Sequence, residues 1–472
     1  MTTNVEQIYT GCLAHGAYYV ESDGEAAIID PLREVQPYID LAESRGAKIK
    51  YVFETHFHAD FVSGHVDLSE KTGAPIVFGP TTMETGFDAI IAEDGQEFSL
   101  GKSKIRLIHT PGHTPESSCF LLIDEQGKET SLFTGDTLFI GDVGRPDLAQ
   151  KVVAELTQEK LASMMFDSLR NKIMPLADDI VVYPGHGAGS ACGKNMSSET
   201  TDTLGHQKET NYALSTELDR ESFIEALLKG LTPPPGYFPQ NVVMNISGYE
   251  NIDDVIAKGQ TKLSPEEVER LVMEENAIVL DTRDANEFGA GLVPGSVNIG
   301  LSGKFANWVG VVFRDVKQPL VLVNAPGTEE EAAIRLARIG FDQTFGYLEG
   351  GVEAWKESGR ELETIDSITA EELAGVDSPV IYDVRKQSEF DSEHVIDAVN
   401  LPLDYWWEQP EKMNSDAAAY VHCAGGYRSM VFASIMRSKG FKNLVNVTGG
   451  FKAMKDSEKF KLSEFVCPTT ML

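Results

Sequence analysis

The sequence predicts an α/β protein of three consecutive domains, and three observations carry that expectation. Residues 1 to about 240 mix β-rich runs with helical stretches, and the chain beyond residue 260 repeats itself at roughly 100 residues. The full length of 472 residues, taken at ~150 per domain, makes about three units. The expected boundaries are 1–245, 246–362 and 363–472.

In the first part, AYYVESDGEAAIID, KIKYVFETH, SKIRLIHT, SCFLLID, TSLFTGD and DDIVVYPGH read as strands, and PYIDLAESRG and AELTQEKLASMMFDSLRNKI as helices. Several of these strands end directly on His or Asp. Sheets of this class gather ligands at strand carboxyl ends, so the endings point to one shared site. The segment LTPPPGYFPQ, residues 231–240, can neither continue a helix nor pair as a central strand, and it marks the approach to the first boundary. Further on, IVLDTRDANEFGAGLVPGSVNIG from Ile278 parallels VIYDVRKQSEFDSEHVIDAVNLP from Val380, and RLARIGFDQTFGYLEGGVEAW parallels SIMRSKGFKNLVNVTGGFKAM. Each copy reads as strands alternating with helices, the pattern of a parallel sheet covered by helices.

Charge excludes some partners. With 73 acidic and 40 basic residues the net charge is −33, which disfavours phosphate backbones and anionic lipid surfaces; neither nucleic acid nor membrane is expected. Five scattered cysteines in a long chain are unlike a secreted disulfide framework, and reduced thiols are expected. The N-terminal residues lack a signal-peptide layout and no run of 18 apolar residues occurs, so a cytoplasmic location is expected.

The sharpest motif is THFHADF, residues 55–61, in which His56, His58 and Asp60 follow an apolar strand. It is joined by TPGHT with His113, FTGD with Asp136 and YPGH with His186. Imidazole and carboxylate are the ligands that borderline divalent metals prefer. This order of endings resembles the metallo-β-lactamase fold, an αββα sandwich, over about the first 240 residues. Dinuclear zinc hydrolases of that fold carry a further His after the Asp, where this chain has Phe61. A phenyl ring coordinates nothing, so one metal per chain is expected. His56, His113 and Asp136 would then form a 2-His-1-carboxylate face suited to Fe(II) and oxygen, with His58, Asp60 and His186 orienting those ligands from behind.

FTGDTLFIGDVGRPDL, residues 133–148, resembles the persulfide dioxygenase branch of the fold. That resemblance implies oxidation of a low-molecular-weight thiol persulfide with O2 to sulfite and thiol. Arg145 is either an anion contact for the substrate or half of an Arg145–Asp147 pair. After His186, the loop GAGSACGKNMS places Cys192 and Lys194 among glycines; Cys192 is a candidate redox or persulfide-carrying thiol, or an inert one, and Lys194 a candidate substrate contact.

In the last part, AYVHCAGGYRS, residues 419–429, leads a strand through a Cys-Ala-Gly-Gly-Tyr-Arg loop into a helix. Converging N–H groups, Gly425 and Gly426 among them, with a helix N-terminus and Arg428 would steady a sulfur anion on Cys423. The segment resembles the rhodanese family, which implies that Cys423 carries sulfur and that Arg428 assists. The corresponding stretch of the first copy, LVLVNAPGTEEEAA, has Asn324 for the thiol, and Pro326 and Glu329–Glu331 in the loop; this copy is expected to be silent. Together the resemblances imply an iron persulfide dioxygenase fused to one inactive and one active rhodanese, exchanging sulfur with thiosulfate or sulfite, as a dimer or tetramer. A zinc thioesterase of the glyoxalase II kind with a sulfur-carrier rhodanese is the alternative.

Overall fold

The computed structural model describes residues 3–148, 156–231, 233–413 and 418–467. Two compact units are distinct, Met1–Ile252 together with Ala337–Gly340, and Asp253–Leu336 together with Phe341–Leu472.

The first unit holds two six-stranded sheets. In the first sheet Asn4–Thr10, His15–Ser22 and Glu25–Ile29 pair antiparallel, and Lys48–Phe53, Ile76–Phe78 and Ala89–Ile91 continue it in parallel. The second runs Asp202–Thr203, Val181–Pro184, Glu129–Gly135, Ser118–Ile123, Ser103–His109 and Glu97–Leu100. Alternation along each strand builds the layers, because successive side chains point to opposite faces. Tyr18, Val20, Ala27 and Ile29 face Phe98, Ile105, Phe120 and Phe133 of the other sheet, while Ala17, Tyr19, Ala26 and Ile28 turn outward to Tyr38, Ala42 and Leu68 of the helices Gln36–Ser44 and His65–Thr72. On the far side, Cys119, Leu121 and Leu132 pack against Met165 of the helix Gln158–Ser168 and Phe223 and Leu227 of the helix Arg220–Leu228. This is the expected αββα sandwich. The helix expected from Ala154 begins at Gln158, capped by Thr157, whose hydroxyl accepts from the Lys160 N–H, and passes into a wider turn, Leu169–Ile173; Ala154 and Glu155 lie outside the described residues, as does Thr232 of the proline-rich segment.

In the second unit the duplication is visible in the topology. Two five-stranded sheets share one strand order: Lys262–Leu263, Thr344–Leu348, Leu320–Val323, Ile278–Asp281, Val297–Asn298 in the first copy, and Ser367–Ile368, Leu444–Val447, Ala419–His422, Val380–Asp383, Val399–Asn400 in the second. All their ladders are parallel. Strands covered on both faces need continuous apolar runs, which explains LVLV at 320–323, buried throughout. Each copy has the same polar bracket. Arg283 pairs with Asp281 and donates to the Gly291 carbonyl, while the Asn298 amide donates to the carbonyls of Asp281 and Arg283. Arg385, Asp383, Glu393 and Asn400 repeat these bonds. The helix Tyr427–Ser438 of the second copy touches the first: the Tyr427 hydroxyl donates to the Gly300 carbonyl and the Asn298 N–H to Ser434 Oγ.

Candidate metal centre and sulfur loop

Every His and Asp of the first unit's site follows the end of a strand. Asp30 follows Glu25–Ile29, His56, His58 and Asp60 follow Lys48–Phe53, His113 follows Ser103–His109, Asp136 follows Glu129–Gly135, and His186 follows Val181–Pro184. The last two strands pair in parallel, which sets Asp136 beside His186. Two glycines permit the crowding: a Cβ on Gly144 would lie 2.0 Å from the Asp136 carbonyl oxygen, and one on Gly185 2.7 Å from Asp136 Oδ1.

The structure brings His56, His113 and Asp136 together, with ligand atoms within 4.8 Å of one another and all three side chains buried. Which ring nitrogen faces inward follows from the other. His113 Nδ1 lies 2.8 Å from the Arg145 carbonyl oxygen, which only accepts, so Nδ1 carries the proton and the Nε2 lone pair faces Asp136 Oδ2 at 3.4 Å. Thr55 donates its hydroxyl hydrogen to Asp30 Oδ2 at 2.8 Å and therefore accepts from His56 Nδ1 at 3.0 Å. His56 Nε2 is left 4.0 Å from Asp136 Oδ2. His186 donates Nδ1–H to the Ala14 carbonyl and turns Nε2 toward Asp60 Oδ2 at 3.4 Å and Asp136 Oδ1 at 3.6 Å.

Burial holds these imidazoles neutral, pulling His113 down to about 4 and His186 to about 3 and lowering His56. It also pushes the Asp136 carboxyl well above its ordinary range, with the nearby Asp60 adding to the shift. Both Asp136 oxygens, Asp60 Oδ1 and His186 Nε2 are buried without a hydrogen-bond partner. Buried polar atoms are almost always satisfied, so lone pairs converging without donors fit a cation. The donor set of nitrogen and carboxylate oxygen suits a borderline divalent metal.

His58 lies against His56, ring centroids 4.2 Å apart, and turns to two carboxylates. Its Nε2 sits 3.2 Å from Asp30 Oδ1 and 3.4 Å from Glu54 Oε2; burial opposes its charge, but the two carboxylates outweigh that and raise its pKa well above the ordinary value. Phe61 lies against His15 and His58, both ring centroids 4.3 Å away. The helix Phe238–Ser247 braces this loop: Asn245 donates to the carbonyls of His58 and Phe61 and accepts from the Ser63 N–H. Sequence reasoning passed over Asp30, Thr55 and Asn245. Asp30 closes a strand run like the others and could have been read; Asn245 has no local signal.

Of the two readings of Arg145, the structure contains the pair: its guanidinium binds both Asp147 oxygens at 2.6 Å and is buried. Lys194 Nζ donates to the carbonyls of Ala226, Leu227 and Lys229, the orphan acceptors at the end of the helix Arg220–Leu228, so its three donors are spent inside the protein rather than on a substrate. Cys192, by contrast, joins Asp60 and His186, with ligand atoms within 4.8 Å of one another.

In the second unit Cys423 directly follows the strand Ala419–His422. The Gly426 N–H donates to its sulfur at 3.1 Å, and Ser429 Oγ lies 3.7 Å away. Gly450 has φ +57°, and a Cβ there would stand 2.4 Å from the Cys423 carbonyl oxygen; the Gly-Gly turn thus closes on the loop. Arg428 is turned to Glu389, with bonds of 2.6 and 2.8 Å. In the first copy the N–H of Gly327, counterpart of Gly426, goes to Glu329 instead. Asn324 stands where the thiol is in the second copy, buried, with both amide atoms unpartnered.

Comparison with known proteins agrees with these geometries. Residues 10–186 match the metallo-beta-lactamase superfamily, and residues 264–358 and 369–457 the rhodanese-like domain. A metallo-beta-lactamase of known structure from Staphylococcus aureus is 31% identical, with a TM-score of 0.64, over 74% of this chain and 99% of its own. The hydroxyacylglutathione hydrolase of Rhizobium etli is 35% identical over 34% of this chain; the chain spans 57% of that relative's length. Hydroxyacylglutathione hydrolase GloC of Haemophilus influenzae is 29% identical over 38% of this chain and 87% of its own. A buried metal-ready cluster at the strand ends of an αββα sandwich, matched by a relative covered almost end to end, makes the chain a member of the metallo-beta-lactamase superfamily that also carries two rhodanese-like domains.

Proposed function

We propose that the first domain is an iron(II) persulfide dioxygenase, one iron per chain, and that the last domain transfers sulfane sulfur through Cys423. The observation that carries the reading is the buried 2-His-1-carboxylate set His56, His113 and Asp136 in a chain that also holds a loop-cradled thiol. Iron(II), when bound there, supplies the one-electron chemistry that lets O2 react. The balanced reaction is R-S-SH + O2 + H2O → R-SH + sulfite + 2 H⁺. Two neutral imidazoles and one carboxylate leave a divalent ion one uncompensated positive charge, which favours an anionic sulfur substrate in a chain of net charge −33. The Arg145 carbonyl orients His113 while its guanidinium is held by Asp147, and Lys194 secures its loop on a helix end. At Cys423 the N–H of Gly426 steadies the sulfur that leaves or arrives, with Gly425 in the same loop and Arg428 beside it; thiosulfate is formed or consumed there.

The names of the Rhizobium and Haemophilus relatives favour a second reading, hydrolysis of a glutathione thioester by a zinc site. Metal analysis, O2 uptake with glutathione, coenzyme A and bacillithiol persulfides, and thioester hydrolysis separate the two. Iron with O2 uptake, both lost in His113→Ala, is the expected outcome; two tightly held zinc ions with thioester hydrolysis would overturn it.

A further inference from the structure

The loop that follows His56 has its buried backbone groups met from far along the chain. Asn245 takes the carbonyls of His58 and Phe61 and the Ser63 N–H, and the hydroxyls of Tyr237 and Tyr249 donate to the carbonyls of Asp60 and Ser63. The Val62 N–H donates to the Arg338 carbonyl at 2.7 Å. Val62 is fully buried, so without that carbonyl its N–H would be an orphan. Arg338 belongs to the turn Ala337–Gly340, which in sequence ends the helix Glu329–Ala337 of the first repeat and yet forms part of the first unit.

The same turn meets two further loops behind the site. Arg33, just after Asp30 and fully buried, donates from Nη1 to the Ala337 carbonyl and from Nη2 to the Glu250 carbonyl, both at 2.8 Å. The Arg338 guanidinium forks onto both oxygens of Glu34 and donates to Cys12 Sγ at 3.4 Å; in the turn that also holds Cys12, the Ala14 carbonyl accepts the His186 Nδ1–H. Gly340, at φ +82°, closes the approach, since a Cβ there would lie 2.8 Å from Asn241 Oδ1 and 2.9 Å from Met244 Sδ, on the helix that carries Asn245. We propose that Ala337–Gly340 is a positioning element of the metal centre, holding from behind the three loops that aim His56, His58 and His186. Lone pairs aimed at one point do not hold one another in place; contacts outside them must. The proposal rests only on a divalent metal at His56, His113 and Asp136, iron or zinc alike. It gives a use to sequence from a repeat whose own loop lacks a thiol.

Reversing the Arg338–Glu34 pair in the metal-stripped full-length protein tests this, with cobalt(II) affinity by chelator competition, the visible cobalt spectrum and thermal melting as readouts. Arg338→Glu sets two carboxylates against each other and should weaken cobalt binding about 10-fold or more and change the spectrum; Glu34→Arg should do the same. The double variant restores a pair of opposite charges and should recover part of the affinity and the wild-type spectrum. Arg338→Gln, which removes the fork without adding repulsion, carries the test should the reversed variants fail to fold, and it too should weaken cobalt binding. A lower melting temperature with wild-type affinity and spectrum would overturn the proposal, as would a double variant no better than the singles. A wild type that binds no cobalt would overturn the metal centre and the proposal with it, whereas cobalt binding that answers to the pair supports the proposal whichever reaction the metal serves.

Discussion

Thr55→Val would cut the link that runs from Asp30 through the Thr55 hydroxyl to His56 Nδ1. Without it the ring of His56 loses the contact that fixes its proton on Nδ1. Outer hydrogen-bond partners of metal-binding imidazoles are worth about 10–100-fold in metal affinity, and two buried hydrogen bonds about 1–3 kcal/mol of stability. Chelator competition and thermal melting on the same variant should show both losses, and undiminished metal affinity would show that the relay does not position His56. A second residue sets a pH response in the other unit. His422 is buried, its Nδ1–H given to the Cys423 carbonyl and its Nε2 3.8 Å from Asp383 Oδ2. Burial lowers its pKa below the ordinary 6.5; Asp383 opposes the shift and Arg385 adds to it. The unfolded chain therefore binds this proton before the folded one, so the stability contribution is present above pH 6.5 and lost as pH falls below it. Denaturant unfolding between about pH 7 and 5 should show that decline, and His422→Gln, which keeps a donor, should flatten it. An identical pH slope in the variant would assign the decline to other groups.

At the scale of elements, the two repeats differ in the loop before the central helix. In the second copy the glycine N–H reaches sulfur; in the first it is taken by Glu329, and Pro326 supplies no N–H at all. Asn324→Cys in a Cys423→Ser background should therefore restore no sulfur transfer, and measurable turnover would mean that the missing thiol alone silences the first copy. The three glutamates occupy the first turn of the helix Glu329–Ala337, where acidic groups stabilise by 0.3–1 kcal/mol each. Changing all three to Ala should lower stability by about 1–2 kcal/mol with turnover unchanged; a fall in turnover without a stability change would contradict a structural role. The strand endings were legible because this fold places chemistry where backbone ladders stop, so His56, His113, Asp136 and His186 stand beside audible apolar runs. The partners that aim them were not. Asp30 meets Thr55 and Asn245 meets His58 across long stretches of chain, and no periodicity reports such pairings. The partners of Lys194 were hidden for a related reason: a lysine among glycines reads as a ligand contact, and the helix end whose carbonyls it meets lies more than thirty residues further on.

For the whole molecule, the proposed reactions sit in two units that can be silenced one at a time. Cys423→Ser should bring sulfurtransferase turnover to background while leaving O2 uptake with added persulfide largely intact, and equal loss of both would mean that the activities are not separable. No helix among the described residues is long and apolar enough to cross a membrane, and the strong negative charge repels polyanions. The bracket of Asp, Arg and Asn that closes both repeats has a further meaning. It is present, bond for bond, in the copy that has an amide where the other has a thiol and a glutamate where the other has the loop arginine. The polar knot is therefore indifferent to what the neighbouring loop carries: it ties the strand ends together beside Asn324 and Glu329 as it does beside Cys423 and Arg428.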